Sequence, residues 1–381
     1  MADLIVEVVE IKEVMNHENA DRLDIAKVYG YDVVTGRDEY KPGDSAVYFP
    51  VDSILPQELE DYIFANTKMK LSKNRVRAVR IRGCVSQGLL VDLPEIEVYL
   101  AMTEPLLRKD LKLGTDLTDV LGVTKHDPDK DKPAAMRGDQ KKKRDTNPAF
   151  KKYYQIQYLL KYDTAFQPGD DVFLTEKIHG TNFRCGWVPR QVTNIIDRFR
   201  MKLYKWGGIG SRFFGLSPYV FVYGSHNVEL KVDGKDNVYR QCTIANEMWT
   251  ACRPGEIWYG EIYGPGIQSG YGYGIGPGQF EVRFFDIYDH NEGQYLDFIN
   301  MASRCAEERL KVVPFWSTEF DMPKILTFLN DPTMISQLDN DTEAEGLVVR
   351  SYNEETFLGS GRKVLKLIAD TYLLKKQSEF K

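Results

Sequence analysis

The chain has 381 residues, of which 43% are hydrophobic and 28% charged, and its formal net charge is -6. This composition is ordinary for a folded globular protein, and the acidic balance argues against a protein that coats nucleic acid through its overall charge. It leaves room for a local basic groove. A chain of this length is expected to form two domains, each large enough to bury a core.

The five cysteines are scattered along the chain and form no CxxC pair. This pattern predicts reduced thiols in a cytoplasmic, reducing compartment and disfavours a zinc site. The first stretch, MADLIVEVVEIKEVMNHENADR, reaches charged residues too early for a secretion signal. No apolar run reaches about 18 residues, so the sequence predicts no membrane partner.

Residues 1–123 contain short β-rich runs separated by Gly, Pro, Asn and Asp. The runs are LIVEVVEI, RLDIAKVYGY, SAVYFPV, RVRAVRIRG and QGLLVDL. Several short strands at this spacing predict a small β-barrel. Residues 124–147 are highly charged and poor in large apolar residues, which predicts a linker. Residues 148–381 combine aromatic-rich strands with helical patterns such as LDFINMASRCAEERL, so a mixed α and β domain is expected there.

The first domain contains a strongly basic stretch, KMKLSKNRVRAVRIRG. On strands, its side chains would form a basic surface that follows a phosphate backbone. The predicted nucleic-acid-binding residues are Lys73, Arg75, Arg77, Arg80 and Arg82. The alternative is a solvated strand edge that its charges protect from pairing. We favour nucleic-acid binding because of the residues of the second domain, which are described next.

The second domain places a lysine, Lys177, at the end of an apolar strand in the segment TEKIHGTNFR. In strand alternation Lys177 and His179 share a face, and Gly180 lets the backbone turn close to a bound group. A lysine in this position loses hydration, and the loss is costly unless an anion binds to it. As a nucleophile it would have to lose its proton, whereas the alternative is a lysine that extends its charge from a strand end into solvent.

Three later segments each combine a strand with residues suited to nucleotide chemistry. They are IWYGEIYGPGIQ with Glu261, FEVRFFDIY with Phe285, and AEGLVVR followed by RKVLKLI with Glu345, Lys363 and Lys366. Taken singly, each is typical of a solvated charge or of core packing. Together they supply a nucleophile, two carboxylates for a hydrated divalent cation, an aromatic face and lysines that neutralise phosphate.

A glycine-rich segment, GPGIQSGYGYGIGPG, occupies residues 264–278. It lacks the lysine-serine ending and the following helix of a phosphate-binding loop. The sequence therefore predicts a flexible surface loop beside the nucleotide pocket.

The order KxHGTN, GEIYG, FFDIY, EGLVV and a lysine-bearing last strand resembles the motif series of the covalent nucleotidyltransferases, which include RNA ligases, DNA ligases and mRNA capping enzymes. The histidine two places after Lys177 is similar to the RNA ligases of the phage and kinetoplastid-editing type. The resemblance covers roughly residues 148–381. It implies an α+β protein whose second domain is an ATP-grasp-like nucleotidyltransferase with antiparallel sheets and helices.

The resemblance also implies roles for individual residues. Lys177 would carry AMP in a phosphoramidate bond, Phe285 would stack on adenine, and Lys366 would hold the α-phosphate. Metal would be held by Glu261 and Glu345, and by His179 through water. The remaining expected nucleotide contacts are Glu176, Ile178, His179, Asn182, Glu261 and Lys363.

The first domain is similar to tRNA-binding modules of the OB fold. The resemblance lies in NHENADRLDIAKVYGY, KPGDSAVYFPVD and IRGCVSQGLLVDLP. An N-terminal OB-like domain fused to a nucleotidyltransferase domain resembles one branch of the RNA ligases. Capping enzymes carry an OB domain after the last motif, and only 15 residues follow Lys366 here, so capping is disfavoured.

The implied activity is an ATP-dependent RNA ligase that joins 5′-phosphate and 3′-hydroxyl RNA ends with ATP and Mg²⁺ or Mn²⁺. Nicked duplexes are one candidate substrate, and the oligomeric state is open. Two departures from the family pattern bear on activity: His226 follows Ser225 where arginine or lysine is usual, and Val364 replaces a lysine of the last motif. The alternatives are a DNA-joining ligase of the same superfamily and an RNA-binding protein with weak or no catalysis.

Overall fold

The computed structural model describes residues 4–67, 70–104, 111–126, 147–192, 195, 198–199, 202, 217–230, 236–331, 333–357 and 361–378. The chain divides into two compact units. The first contains the described parts of Met1–Asp139, Gln155–Phe166 and Leu367–Lys381. The second contains those of Gln140–Tyr154 and Gln167–Lys366.

The elements of the described residues are numbered in chain order. The strands are β1 Glu7–Glu10, β2 Glu13–Asn16, β3 Leu23–Val28, β4 Tyr31–Gly36, β5 Ser45–Phe49, β6 Ser53–Ile54, β7 Ala78–Ile81, β8 Cys84–Gln87, β9 Leu89–Asp92, β10 Thr124–Lys125, β11 Gln157–Tyr158, β12 Asp171–Lys177, β13 Thr181–Pro189, β14 Tyr219–Ser225, β15 Glu229–Leu230, β16 Glu256–Tyr263, β17 Glu281–Asp289, β18 Gln294–Tyr295, β19 Phe315–Glu319, β20 Gly346–Ser351, β21 Thr356–Phe357, β22 Gly361–Arg362 and β23 Val364–Ile368. The helices are α1 Gln57–Ile63, α2 Leu93–Thr103, α3 Val238–Ala245, α4 Met248–Ala251, α5 Phe298–Glu307, α6 Met322–Leu329 and α7 Asp370–Ser378.

The first unit is built from small antiparallel sheets. One has the order β1-β5-β9, a second has the order β2-β3-β4, and β7 pairs with β8 as a hairpin. Strand β3 alternates between half-buried and buried side chains, so its sequence LDIAKV turns one face towards the core. Two clusters of buried apolar side chains fill this unit. The short strands that the sequence predicts are therefore present.

The boundaries of the first unit differ from the predicted divisions after residues 123 and 147. Strand β10 pairs with β6, so the start of the predicted linker belongs to the first unit. Residues 155–166 also pack there, with the Gly30 amide donating to the Leu160 carbonyl at 2.7 Å. Helix α7 joins it through a 2.9 Å hydrogen bond from Gln87 Nε2 to Asp370 Oδ1. Residues 127–146 of the predicted linker lie outside the described residues.

The second unit contains two larger sheets. In one, the strand order is β23-β20-β12-β19, and in the other it is β15-β14-β13-β16-β17-β18. Most of β12 is buried, as its apolar sequence DVFLTEK predicts. One buried apolar cluster takes residues from both sheets and from α5, with Phe173, Phe183, Trp258, Phe284 and Phe298 among its members. This core holds the ends of β12, β13 and β16 in place.

Side-chain caps define the helices of the second unit. Asn237, Asp297 and Asp321 each accept a hydrogen bond from a backbone amide in the first turn of α3, α5 and α6. The predicted helix in LDFINMASRCAEERL corresponds to α5. In the described ranges, no helix has the length and apolar character needed to cross a bilayer.

Strands β13 and β16 approach each other too closely for a side chain at Gly186. A Cβ atom there would lie 2.0 Å from the Glu256 carbonyl oxygen. Because the obstacle is backbone in a buried sheet, it cannot move without separating the strands. Gly272 offers a contrast, since the nearest atom to its Cβ would be Pro265 Cγ at 3.8 Å.

We expect Gly186→Ala to lower the free energy of unfolding of the second unit by about 2–3 kcal/mol, as overpacking does. Gly272→Ala should leave it nearly unchanged. The tryptophans among the described residues all belong to this unit, so denaturant unfolding followed by tryptophan fluorescence reports on it. Equal unfolding midpoints for the two variants would contradict the argument from close approach.

Candidate active site

Lys177 lies at the end of β12 and forms an ion pair with the residue that precedes β20. Antiparallel pairing sets Lys177 opposite Gly346, and Lys177 Nζ lies 2.6 Å from Glu345 Oε1. His179 Nδ1 lies 3.6 Å from the other carboxylate oxygen, Oε2. Burial alone would raise the pKa of Glu345, but Lys177 and His179 outweigh it and lower the pKa to about 2. The carboxylate is therefore ionised at neutral pH.

A second carboxyl group, that of Glu261, lies close enough to interact with the same lysine. Burial raises the pKa of Glu261 to about 8, and Glu345 adds to the rise, while Lys177 and a hydrogen bond from the Gly180 amide oppose it. Glu261 is half-buried and pairs across the sheet with Asn182. Two carboxyl groups thus lie near one ammonium group.

Cross-strand pairing arranges polar residues in a row on one face of the six-stranded sheet. Asn182 is opposite Glu261, and Glu261 is opposite Arg283. Ser225 is opposite Phe183, so the next residue, His226, lies at the level of Asn182. Phe183 belongs to the core, and strand alternation therefore places Asn182 on the other face. The Asn182 Oδ1 atom is buried and has no hydrogen-bond partner among the described residues.

The glycine-rich segment 264–278 packs against the segment that follows Lys177. The His179 amide donates to Tyr273 Oη at 2.8 Å, and Gln268 Nε2 donates to the Gly180 carbonyl at 2.8 Å. The Tyr271 and His179 rings are 4.6 Å apart, edge to face. The segment lies beside the site as predicted, but Tyr271 and Tyr273 are buried, so it is more than a surface loop.

The structure does not bring the Glu176 carboxylate to Lys177. Neighbouring residues of a strand point to opposite faces, and Glu176 is buried on the other face of β12. There its carboxylate accepts hydrogen bonds from Ser336 Oγ and from the Gln337 amide. Glu176 therefore anchors the segment around residue 336. Ile178, also an expected nucleotide contact, is buried and 5% exposed.

The two lysines of the last strand region point to opposite sides. Lys363 Nζ forms ion pairs with Asp170 at 3.2 Å and with Glu355 at 3.1 Å. Lys366 shares a face of β23 with Val364, whose side chain is buried. Lys363 therefore does not replace the lysine that Val364 displaces.

Phe285 lies at a β-bulge, where the pairing of β17 with β16 shifts register. Phe284 faces the core, whereas the half-buried Phe285 packs edge to face against Tyr153 with the ring centres 5.0 Å apart. Bulges often redirect side chains next to functional sites. Phe284 and Phe285 therefore face opposite sides of β17.

Residues 147–154, here called the strap, run across the same sheet and carry no recognisable motif. Arg184, which is 1% exposed, donates from Nη1 to the Phe150 carbonyl and stacks its guanidinium 3.9 Å from the Phe150 ring centre. Tyr153 Oη donates to the buried Asp286 at 2.8 Å. The sequence FKKYY, with its aromatic residues, was the only local indication that this segment packs against the sheet, and such a sequence also occurs at the end of a linker.

In the first unit, four of the five predicted nucleic-acid-binding residues are accessible. Lys73, Arg80 and Arg82 are exposed and Arg77 is half-buried. Arg75 is a correction, because it is 4% exposed and bonds to Asp52, with Nε–Oδ1 at 3.0 Å. A buried, paired arginine cannot contribute to a surface for nucleic acid.

Comparisons with known proteins match this architecture. An OB-fold domain profile matches residues 5–93, and an RNA ligase profile matches residues 170–368. No curated protein matches.

The solved structures similar to this chain include three of the Naegleria gruberi RNA ligase. A lysine-to-alanine variant with ATP and Mn is 20% identical, with a TM-score of 0.70 over 99% of this chain and 100% of that one. The enzyme with PPi gives 20% and 0.68 with the same coverage, and a glutamate-to-alanine variant with AMP and Mn gives 20% and 0.69 over the whole of both chains. This likeness shows a shared fold, an OB-fold domain followed by a nucleotidyltransferase domain. Because the RNA ligase profile spans more than half of the sequence, the chain belongs to the RNA ligase family.

Proposed function

We propose that this RNA ligase is ATP-dependent and joins a 5′-phosphate to a 3′-hydroxyl through a lysyl-AMP intermediate on Lys177. The observation that carries the proposal is the grouping of one lysine at a strand end with the carboxyl groups of Glu345 and Glu261. Solved structures of the same fold contain ATP or AMP with Mn, which supports ATP as the nucleotide. The five unpaired cysteines support a cytoplasmic location.

The first step would transfer AMP to the lysine. Lys177 Nζ attacks the α-phosphorus of ATP, a nitrogen–phosphorus bond forms, and pyrophosphate leaves. Only a neutral amine has the lone pair that attacks phosphorus, so Lys177 must be without its proton at this step. AMP then passes to the 5′-phosphate of RNA, and the 3′-hydroxyl displaces it as the phosphodiester bond forms.

The site fits a divalent cation. Glu345 Oε2 is buried and accepts no hydrogen bond from the described residues, with His179 Nδ1 at 3.6 Å, and carboxylate oxygens are ligands that Mg²⁺ and Mn²⁺ accept. Within the described ranges, no three His, Cys, Asp or Glu side chains gather as a metal site. Glu345 and Glu261 would therefore hold the ion together with phosphate oxygens and water. When bound, it would neutralise charge on the phosphates and on the leaving pyrophosphate.

Replacing the nucleophile provides the direct test. Lys177→Ala should take up no label when incubated with α-labelled ATP and Mn²⁺ and then denatured, since it lacks the nitrogen that would bond to the α-phosphorus. Lys363→Ala is the matched control, because Lys363 is paired with Asp170 and Glu355 and should leave labelling nearly intact. Covalent label on Lys177→Ala would disprove the assignment, and label from GTP instead of ATP would move the function towards capping.

Removing the charge of the Glu345 carboxylate gives a second test. Glu345→Gln removes the negative charge beside Lys177, and we expect the rate of AMP transfer to fall by at least about 100-fold. Glu355→Gln, a change of the same kind at the pair with Lys363, should keep nearly the full rate. The measurement is single-turnover labelling with saturating ATP and Mn²⁺. Similar rates for the two variants would argue against a role for Glu345 in the chemistry.

The 3′ end distinguishes an RNA ligase from the DNA-joining alternative. We expect sealing of a nick whose 3′-hydroxyl strand ends in ribose and much slower sealing when that strand ends in deoxyribose. Gel analysis of matched nicked duplexes gives the ratio of rates. Equal sealing of both nicks would favour a ligase that does not require ribose, and no sealing with normal labelling would indicate a different RNA end.

A further inference from the structure

The strap is fastened to the six-stranded sheet along most of its length. The Asn147 amide donates to Glu229 Oε2 at 2.8 Å, and Asn147 Nδ2 donates to the Pro189 carbonyl at 3.0 Å. The Ala149 carbonyl lies 2.6 Å from His290 Nε2. Together with Phe150 and Tyr153, these contacts reach from β13 and β15 to the end of β17. The position of each side chain between them is therefore well defined.

Lys151 and Lys152 are consecutive in the strap, but their ammonium groups have different partners. Lys151 Nζ donates to Tyr288 Oη and lies 4.0 Å from the centre of that ring, while the Lys151 carbonyl accepts from Tyr259 Oη at 3.0 Å. Lys152 points elsewhere, since its Nζ donates to Asn227 Oδ1 at 3.0 Å. Lys152 is exposed and ends at the loop that follows β14. The strap thus holds the positive charge of Lys152 close to His226.

The loop that follows β14 lies at the end of the polar row that contains Asn182 and Glu261. His226 is half-buried there, and burial together with the nearby Arg184 and Lys152 lowers its pKa. An uncharged imidazole still offers a ring N–H to an anion. The nearby acid, Glu229, already accepts from the strap and faces Arg184. Positive charge therefore exceeds negative charge at this end of the row.

We propose that Lys152 and His226 form a phosphate-binding corner of the active site. The phosphate would come either from the tail of ATP or from the 5′ end of RNA, and both offer the same chemistry of charged oxygens to an ammonium group and a ring N–H. Asn182, with its unpartnered buried oxygen, lies between this corner and the carboxyl group of Glu261. The inference rests on the proposed function for the identity of the two ligands.

The test compares binding of two probes to Lys152→Ala, Lys152→Arg, His226→Ala and Lys151→Ala. One probe is an ATP analogue with a methylene bridge between the α- and β-phosphorus, which cannot transfer AMP. The other is a short RNA with either a 5′-phosphate or a 5′-hydroxyl. Dissociation constants are measured by calorimetry for the analogue and by fluorescence anisotropy for the RNA. Lys151→Ala is the matched control, because it removes the adjacent lysine that contacts Tyr288.

We expect Lys152→Ala to weaken binding by about 5- to 20-fold, as loss of one exposed charged hydrogen bond to phosphate would. Weaker binding of the analogue assigns the corner to the tail of ATP. Loss of the preference for 5′-phosphate over 5′-hydroxyl RNA assigns it to the RNA end. In either case His226→Ala should weaken the same probe, and Lys152→Arg should stay within about twofold of the wild type because it keeps the charge.

The inference is overturned if Lys152→Ala binds both probes like Lys151→Ala, if it binds the analogue like the wild type and loses affinity equally for 5′-phosphate and 5′-hydroxyl RNA, or if the wild type binds neither probe. Labelling of the same wild-type preparation with α-labelled ATP tests the proposed function separately. A wild type that takes no AMP but binds phosphate through Lys152 would refute the proposed function and leave the corner standing.

Discussion

The close approach of β13 to β16 is the constraint on which the site depends. A Cβ atom at Gly180 would lie 2.2 Å from the Ile262 carbonyl oxygen, and one at Gly186 would meet the Glu256 carbonyl. With glycine at both places the strands pair from Thr181 to Gly186 without interruption. That pairing sets Asn182 beside Glu261. Only Ile178, His179 and Gly180 separate β12 from β13, so Lys177 at the end of β12 lies close to the start of β13.

The two carboxyl groups that face Lys177 differ in their protonation. The pKa of Glu345 falls to about 2, whereas that of Glu261 rises to about 8. At neutral pH the charges of Lys177 and Glu345 therefore balance, and Glu261 keeps its proton for most of the time. Additional positive charge would favour the ionised form of Glu261, which is the physical reason that a divalent cation fits the site.

Strand alternation carried much of the prediction from sequence. It predicted that Lys177 and His179 share a face, and both side chains approach the Glu345 carboxylate. It also accounts for the separation of Phe284 from Phe285, and for Glu176, next to Lys177, bonding to Ser336 instead. The side chain of Arg75 could not be judged in this way, because its partner Asp52 is distant in the sequence and its burial depends on the fold of the whole unit.

The strap shows why a departure from a sequence motif is weak evidence for lost activity. His226 stands where related ligases usually carry a positive charge on the strand end itself. In this chain Lys152 reaches the same place from a segment 74 residues earlier, held there by contacts with β13, β15 and β17. No local pattern could reveal this, since each anchor joins residues far apart in the sequence. Phosphate binding requires a positive charge at a given position in the site, and the fold can supply that charge from a different segment of the chain.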